Sequence, residues 1–164
     1  MTDPDELLSD MLVSNIFDVF ENNKIEETIG AVAVPCQFYF KNTTLRGTHW
    51  GGINKRTLLV NNKRFQFKSL VHVGRNVLTG FKVQEVPFKQ TNFIHHYWMT
   101  SYVKLVEKHL RYLKNEGESR YKTGRRAAIK SILLELYRAF KYSYFIRQGY
   151  KDGLTGLFLS LFWS

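Results

Sequence analysis

The sequence predicts an α/β protein in which a mixed sheet with a flanking helix is followed by a helical C-terminal tail. Three observations predict this fold class. Apolar residues recur at helical spacing near the N terminus, alternate between residues 32 and 40, and return to helical spacing after residue 101. The 164 residues are 44% hydrophobic and 23% charged, which is typical of a globular chain that buries its own core.

The first helix is predicted from apolar residues spaced as on one helix face, and Asn22-Asn23 is expected to end it. These apolar residues are Leu7, Leu8, Met11, Leu12, Ile16, Val19 and Phe20. A strand should follow at residues 32–40, where every second residue is apolar, and Pro35 favours an edge strand or a bulge there. Residues 41–56 contain three glycines and are expected to form a loop.

The middle of the chain predicts short strands at residues 57–60 and 65–73. A hairpin is expected over residues 76–86, turning at Thr79-Gly80.

The last third of the chain changes to helical periodicity. It predicts a helix from residue 101 to about residue 115, a polar linker at residues 115–124, and a second helix at residues 125–148 that Gly149 ends. We therefore expect a sheet-containing domain at residues 1–100 and a basic helical tail at residues 101–164.

The charge is unevenly distributed along the chain. Residues 1–30 carry eight acidic side chains and one basic side chain, whereas the whole protein has a formal charge of +10. The excess of basic side chains therefore lies after residue 30, and it suggests an anionic partner, such as a nucleic acid, an anionic lipid or a phosphorylated ligand. The single cysteine, Cys36, excludes an intramolecular disulfide framework and is compatible with a reducing compartment. We find no stretch of 18 apolar residues and no basic leader, and we expect a cytoplasmic protein.

An acidic element, Asp3-Pro4-Asp5-Glu6, opens the chain and has two explanations. Asp3 and Asp5 could hold a divalent metal ion, since hard cations prefer carboxylate oxygens and bridge phosphates. Alternatively, the acidic side chains could satisfy free N–H groups at the start of the first helix.

Two groups of residues in the predicted loop and strands are candidates for binding or catalysis. Arg46, His49 and Trp50 lie in the glycine-rich loop, where they either contact a ligand or form a packed turn. Three histidines lie in predicted strands: His72, a candidate proton acceptor, and the pair His95 and His96. Adjacent strand residues point to opposite faces, so the two are a poor chelating pair, although one could contact a ligand while the other packs.

The second tail helix and the segment after it are rich in cations interleaved with aromatic residues. The cations are Arg125, Arg126, Lys130, Arg138, Lys141, Arg147 and Lys151. Such a helix could lie on an anionic membrane surface, follow a nucleic-acid backbone, or simply present a solvated face. The apolar C-terminal sequence LFLSLFW favours the membrane explanation, because nucleic-acid binding gives no reason for it.

Four segments are informative when they are taken together, in the order in which they occur along the chain. They are Asp3-Pro4-Asp5-Glu6 with its helix, VPCQFYFKNTTLRGTHWGG (34–52), FKSLVHVGRNVLTG (67–80) and FIRQGYKDGLTGLFLSLFW (145–163). Together they resemble the C-terminal half of bacterial family 2 glycosyltransferases, especially those that build lipopolysaccharide core and other cell-surface glycans. The Arg-x-Gly-aromatic-x-Asp-Gly pattern of the last segment is the most specific part of the resemblance.

This resemblance implies a partial GT-A fold and an inverting sugar transfer from a nucleotide sugar to a glycan or lipid-linked acceptor. Asp3 and Asp5 would hold Mg²⁺ or Mn²⁺ on the donor diphosphate, and the basic tail would rest on the inner face of the membrane. The acceptor would be bound by Arg46, His49, Trp50, His95 and His96. The family's nucleotide-cradling half has no counterpart here, so we expect a truncated or partial enzyme. The family's Val-His element is often followed by Glu, but this chain has Val73, which leaves His72 as the candidate base. The alternative function is a small basic module that binds anionic lipid or nucleic acid without catalysis.

Overall fold

The structure is a computed structural model that describes residues 3–22, 28–70, 73–122 and 129–163. It confirms the α/β class, the mixed sheet and a helical C terminus. The strands are β1 (Glu6–Leu8), β2 (Ile29–Phe40), β3 (Thr43–Thr44), β4 (Ile53–Val60), β5 (Phe65–Leu70), β6 (Val73–Val77), β7 (Lys82–Glu85) and β8 (Ile94–Met99). The helices are α1 (Asp10–Asn22), α2 (Tyr102–Lys122), α3 (Ile129–Lys141) and α4 (Gly153–Trp163).

The main sheet is organised around β2. Its strand order is β1-β8-β2-β3, and β4 and β7 also pair with β2. The β4 pairing is antiparallel and the β7 pairing is parallel, so the sheet is mixed. A separate antiparallel ribbon is formed by β5 and β6.

Strand β2 is buried along most of its length. Seven consecutive residues, from Gly30 to Cys36, are buried, which explains an almost unbroken run of small and apolar side chains. Pro35 lies inside this strand, opposite Lys55 of β4, and a register irregularity occurs earlier, between Val32 and Ala33. The edge-strand explanation of Pro35 is therefore wrong, and the bulge lies near the proline but not at it.

The first helix begins later than the apolar spacing predicts. Ser9 caps it, because the Leu12 N–H donates to Ser9 Oγ at 3.2 Å, and Asp10 follows in the first turn. Leu7 and Leu8 belong to β1, which pairs with β8. The acidic residues at positions 3 to 6 therefore do not cap this helix.

The expected hairpin over residues 76–86 is replaced by two different pairings. Strand β6 pairs with β5, and β7 pairs with β2. The turn itself is present, since Gly80 has a φ of 90° and the Phe81 N–H donates to Leu78 O. The chain therefore turns where the sequence indicates, but the next strand joins another partner.

The helical tail differs from the prediction in two ways: its first helix is longer than expected, and its second helix is broken into shorter elements. Helix α2 continues to Lys122, through most of the predicted linker. Helix α3 ends at Lys141, a π-helical turn follows at Tyr142–Ile146, and a 3₁₀ turn at Gly149–Asp152 leads into α4. Within the described ranges, no helix is both long and apolar enough to cross a membrane.

The chain forms two compact units. The first unit contains Met1–Gln37 and Ile53–His96, and the second contains Phe38–Gly52 and Tyr97–Ser164. The largest fully buried side chains of the first unit include Leu12, Val34 and Ile94. The core of the second unit consists of Phe40, Leu45, Trp50, Trp98, Met99, Leu105 and Leu159.

Candidate functional site

The acidic element forms a tight turn in the first unit. The Glu6 N–H donates to Asp3 O at 3.0 Å, and the Asp3 N–H donates back to Glu6 Oε2 at 3.0 Å. Pairing between β1 and β8 then sets Glu6 opposite His96. The two hydrogen bonds within the turn and the register between β1 and β8 therefore place the Glu6 carboxylate beside the His96 imidazole.

Arg56 neutralises this acidic turn from β4. Its Nη2 lies 2.9 Å from Asp3 Oδ2, and its Nε lies 2.8 Å from Glu6 Oε1. The Glu6 side chain is 0% exposed and the Arg56 side chain is 29% exposed. An ionised carboxylate that is buried without a counter-charge is strongly destabilising, and the Arg56 guanidinium provides that counter-charge beside Glu6.

His96 lies between two carboxylates. Its Nε2 is 3.4 Å from Asp5 Oδ2, and its Nδ1 is 3.5 Å from Glu6 Oε1. Burial lowers the pKa of His96, and this effect outweighs the opposing influence of Asp5 and Glu6. The ring is therefore neutral near pH 7, where it can orient Asp5. We call Asp3, Asp5, Glu6, Arg56 and His96 the acidic cluster.

The acidic cluster offers suitable ligands for the metal ion that the resemblance implies. The Asp3 and Asp5 side chains are 56% and 40% exposed, so their oxygens are accessible. Mg²⁺ is commonly held by one or two carboxylates together with substrate phosphates. Among the described residues, no group of three or more His, Cys, Asp or Glu side chains is arranged to hold a metal. A cation at Asp3 and Asp5 would therefore depend on further oxygens from a ligand.

In the second unit, Asp152 fixes the glycine-rich loop. One carboxylate oxygen accepts from the Arg46 N–H at 2.8 Å, and the other accepts from the Gly47 N–H at 2.7 Å. A Cβ at Gly47 would overlap the backbone of Gln148. The Arg147 Nε also donates to Thr48 O at 3.4 Å. These contacts join two of the segments that carry the resemblance.

His49 and Trp50 of the same loop have different environments. Trp50 is 8% exposed and stacks on Trp98, with ring centroids 4.2 Å apart, so the packed-turn explanation holds for it. His49 is more exposed and stacks on Trp163 at 4.3 Å. Burial lowers the pKa of His49, and the nearby Arg147 charge lowers it further.

The two strand histidines near residue 95 separate as alternation predicts. His96 joins the acidic cluster, while the His95 ring lies 4.6 Å from the Phe93 ring. Both belong to the first unit, whereas Arg46, His49 and Trp50 belong to the second. His72 lies outside the described residues, and so do Arg125 and Arg126.

The other cations of the tail do not share one environment. Lys130, Arg138 and Lys141 are exposed on α3, a helix that has no buried residue. Arg147 is half-buried against the loop, and Lys151 is exposed in the 3₁₀ turn.

The apolar C-terminal sequence is explained largely by packing. In α4, Leu159 is fully buried in the second core, and Phe158 and Phe162 pack against that core. Packing therefore accounts for the inner face of α4, whereas Leu161 remains 58% exposed.

Sequence reasoning missed the roles of Arg56 and Asp152. Arg56 sits two residues before Leu58 on a β-strand, so it shares a face with a buried apolar side chain. That placement was a detectable signal for an inward-facing charge. Asp152 is part of the Arg-x-Gly-aromatic-x-Asp-Gly pattern, but its role as a hydrogen-bond acceptor needs the fold.

The chain was compared with models of known protein families, with curated protein sequences and with solved structures, and none of the three comparisons gives a match.

Proposed function

We propose that this chain is part of an inverting glycosyltransferase that moves a sugar from a nucleotide donor to a cell-surface glycan or lipid-linked acceptor. The observation that carries this proposal is the acidic cluster. Asp3 and Asp5 are partly exposed carboxylates held in place by a cation and an imidazole. Such an arrangement suits a donor diphosphate that arrives with a divalent cation.

Each residue of the acidic cluster has a distinct role in this proposal. Mg²⁺ or Mn²⁺, held by Asp3 and Asp5, would supply positive charge to the departing diphosphate. Arg56 fixes the rotamer of Asp3 and adds a second positive charge, and it provides the counter-charge beside the buried Glu6. His96 orients Asp5 from the side that faces the protein. The base for the acceptor hydroxyl is His72 in this proposal, because Val73 stands where the family often has the Glu that follows its Val-His element.

A second observation supports the proposal. The loop at residues 46–48 and the tail at residues 147–152 are joined directly through Asp152 and Arg147. These are two segments on which the resemblance depends, and their glycines are required for close backbone contact. The two segments therefore form one continuous surface of the second unit.

The test is calorimetric binding of UDP- and GDP-sugars in the presence of Mn²⁺. We expect binding by the unmodified chain and a loss of at least about tenfold in the Asp3→Ala and Asp5→Ala variants, since each change removes a charged ligand. Asp18→Ala is the matched control, because Asp18 is an exposed carboxylate on α1. Absence of Mn²⁺-dependent binding, or equal binding by all four proteins, would contradict the proposal.

A second candidate function, binding to an anionic membrane surface, is favoured by α3. Ile129, Leu133 and Tyr137 are 77%, 61% and 62% exposed. At 100° per residue these three side chains fall on one sector of the helix, and Lys130 and Lys141 lie beside it. An exposed apolar stripe with neighbouring cations is the pattern of a helix that lies in a membrane interface. In this candidate function the protein is peripheral, at the inner face of the membrane.

Sedimentation with vesicles tests this second function. The protein should bind vesicles that contain phosphatidylglycerol, and not vesicles of phosphatidylcholine alone. Leu133→Glu should abolish binding, and Lys130→Glu should weaken it about fivefold or more, since each surface cation contributes about 1 kcal/mol. Lys104→Glu on α2 is the control, because it has the same charge change at an exposed position. Vesicle binding that neither α3 variant alters, or tighter binding to an oligonucleotide, would contradict it.

A further inference from the structure

A polar cavity in the second unit is not used by the proposed function. Its volume is about 620 Å³, which falls in the roughly 300–1,000 Å³ range of small-ligand pockets. It is lined by the β2–β3 turn, the loop after β3, the start of α2, the 3₁₀ turn and the start of α4. None of the residues of the acidic cluster lines it.

The cavity carries a net positive charge. Lys41, Arg46 and Lys151 line it, with Asp152 as the acidic member. Both carboxylate oxygens of Asp152 already accept backbone N–H groups of the loop. In the part of the chain that the structure describes, no carboxylate lies within 4.0 Å of the side-chain nitrogens of the three cations. Three cations converging on one cavity select an anionic group.

Hydroxyl groups form much of the remaining lining. Thr43, Thr44, Tyr102 and Thr155 contribute them, and the Tyr102 and Thr155 oxygens lie 3.1 Å apart. Hydroxyls both donate and accept hydrogen bonds, so they suit a ligand that itself carries hydroxyl groups. A free inorganic anion would leave these groups to water.

One of these cations, Lys41, is held by structure that is already formed. Lys41 and Asn42 form a two-residue turn with φ values of 51° and 63°, as in a type I′ hairpin. A lysine is uncommon in this left-handed conformation. The Lys41 N–H donates to Met99 O at 2.8 Å, and its ammonium lies 4.8 Å from the centre of the Tyr102 ring. A strained residue held in place by its surroundings is typical of a binding site.

The geometry points to a binding site for a small anionic saccharide, that is, a hydroxyl-rich ligand that bears a phosphate or carboxylate group. The anion would be bound by Lys41, Arg46 and Lys151, and the sugar hydroxyls would be bound by the threonine and tyrosine oxygens. Binding itself does not depend on the proposed function. Only the role of the ligand as an acceptor would rest on that function.

The test is calorimetry without nucleotide or metal, using glucose 6-phosphate, glucuronate, glucose and inorganic phosphate as probes. We expect at least one of the two anionic sugars to bind, and glucose and inorganic phosphate to bind at least about tenfold more weakly. Lys41→Gln, Arg46→Gln and Lys151→Gln should each weaken binding by about tenfold, and added salt should weaken it further. All three side chains are exposed, so these variants should fold normally.

Two controls separate this site from others. Lys63→Gln changes an exposed lysine in a turn of the first unit and should leave binding unchanged. Asp3→Ala should also leave it unchanged, so a failure of the nucleotide-sugar proposal would not be mistaken for a failure of this one. Binding of neither anionic sugar, equal binding of glucose or inorganic phosphate, or binding that the three cation variants do not alter would overturn the inference.

Discussion

Replacement of Gly156 by alanine should destabilise the second unit. Gly156 lies in α4 and is buried. A Cβ at this position would overlap the carbonyl oxygen of Gly149 and lie 3.0 Å from Asp152 Cβ. The atoms that must move belong to the backbone of the 3₁₀ turn, so no flexible side chain can rotate to relieve the overlap.

Two opposing terms determine the size of the effect. Alanine is favoured over glycine inside a helix by about 1 kcal/mol. Overpacking against fixed atoms costs about 1–3 kcal/mol and sometimes more, and a backbone overlap lies at the high end of that range. We therefore expect a net loss of about 2 kcal/mol in the free energy of unfolding. For a chain of this size that corresponds to a fall in Tm of about 4–8 °C.

Tryptophan fluorescence during thermal unfolding is the appropriate assay. All three tryptophans, Trp50, Trp98 and Trp163, belong to the second unit, so the signal follows that unit. The displaced turn also carries Asp152, which holds the glycine-rich loop. Binding of anionic sugars should therefore weaken together with the loss of stability.

Leu154→Ala on the same helix provides the control. Leu154 is 85% exposed, and a substitution at such a surface position should change the free energy of unfolding by about 0.5 kcal/mol or less. The loss of stability should therefore be smaller than for Gly156→Ala. If Gly156→Ala were as stable as the unmodified chain, or more stable, the close contact between α4 and the 3₁₀ turn would be refuted.

Three further predictions concern the first unit. Arg56→Gln should lower the free energy of unfolding in urea by about 3 kcal/mol, because it leaves the buried Glu6 without its counter-charge. Adding Glu6→Gln should recover much of that free energy, and an Arg56→Gln variant as stable as the unmodified chain would refute this pairing. Burial raises the pKa of Cys36 to about 12, so its thiol should react with a disulfide reagent at pH 8 only after unfolding, and rapid native-state labelling would disagree. Burial lowers the pKa of His96 in the folded protein below the ordinary 6.5, so the unfolded chain binds a proton more readily than the folded chain. The free energy of unfolding should therefore fall as the pH drops from 6.5 toward the folded-state pKa, and His96→Gln should flatten this dependence.

The sequence predicts local structure well where the periodicity is unambiguous. The strand over residues 32–40 and the helix after residue 101 are both present, because their apolar patterns match the burial that each element needs. The polar residues after position 115 predict a linker only on the assumption that polar residues form loops. Lys, Glu and Arg are also good helix formers, and α2 continues through them to Lys122.

Strand partners were less predictable than the strands. Residues 82–85 look like the second half of a hairpin because a turn precedes them. Their actual partner is β2, about fifty residues earlier in the chain, and no local pattern specifies that choice.

The candidate site shows the same division between local and long-range information. Asp3 and Asp5 are recognisable from their spacing alone. Arg56 and His96 join them through strand register, which the sequence does not state. The same applies to Asp152, whose bonds to Arg46 and Gly47 span more than 100 residues of chain.

The second unit is made from two stretches of chain that residues 53–96 separate in sequence. During synthesis, the first stretch leaves the ribosome long before the second. Phe40, Leu45 and Trp50 are then made without Leu105 and Leu159, which complete their core. Until α4 has been synthesised, these side chains lack the partners that bury them, so the core of this unit can form only after its second stretch has left the ribosome.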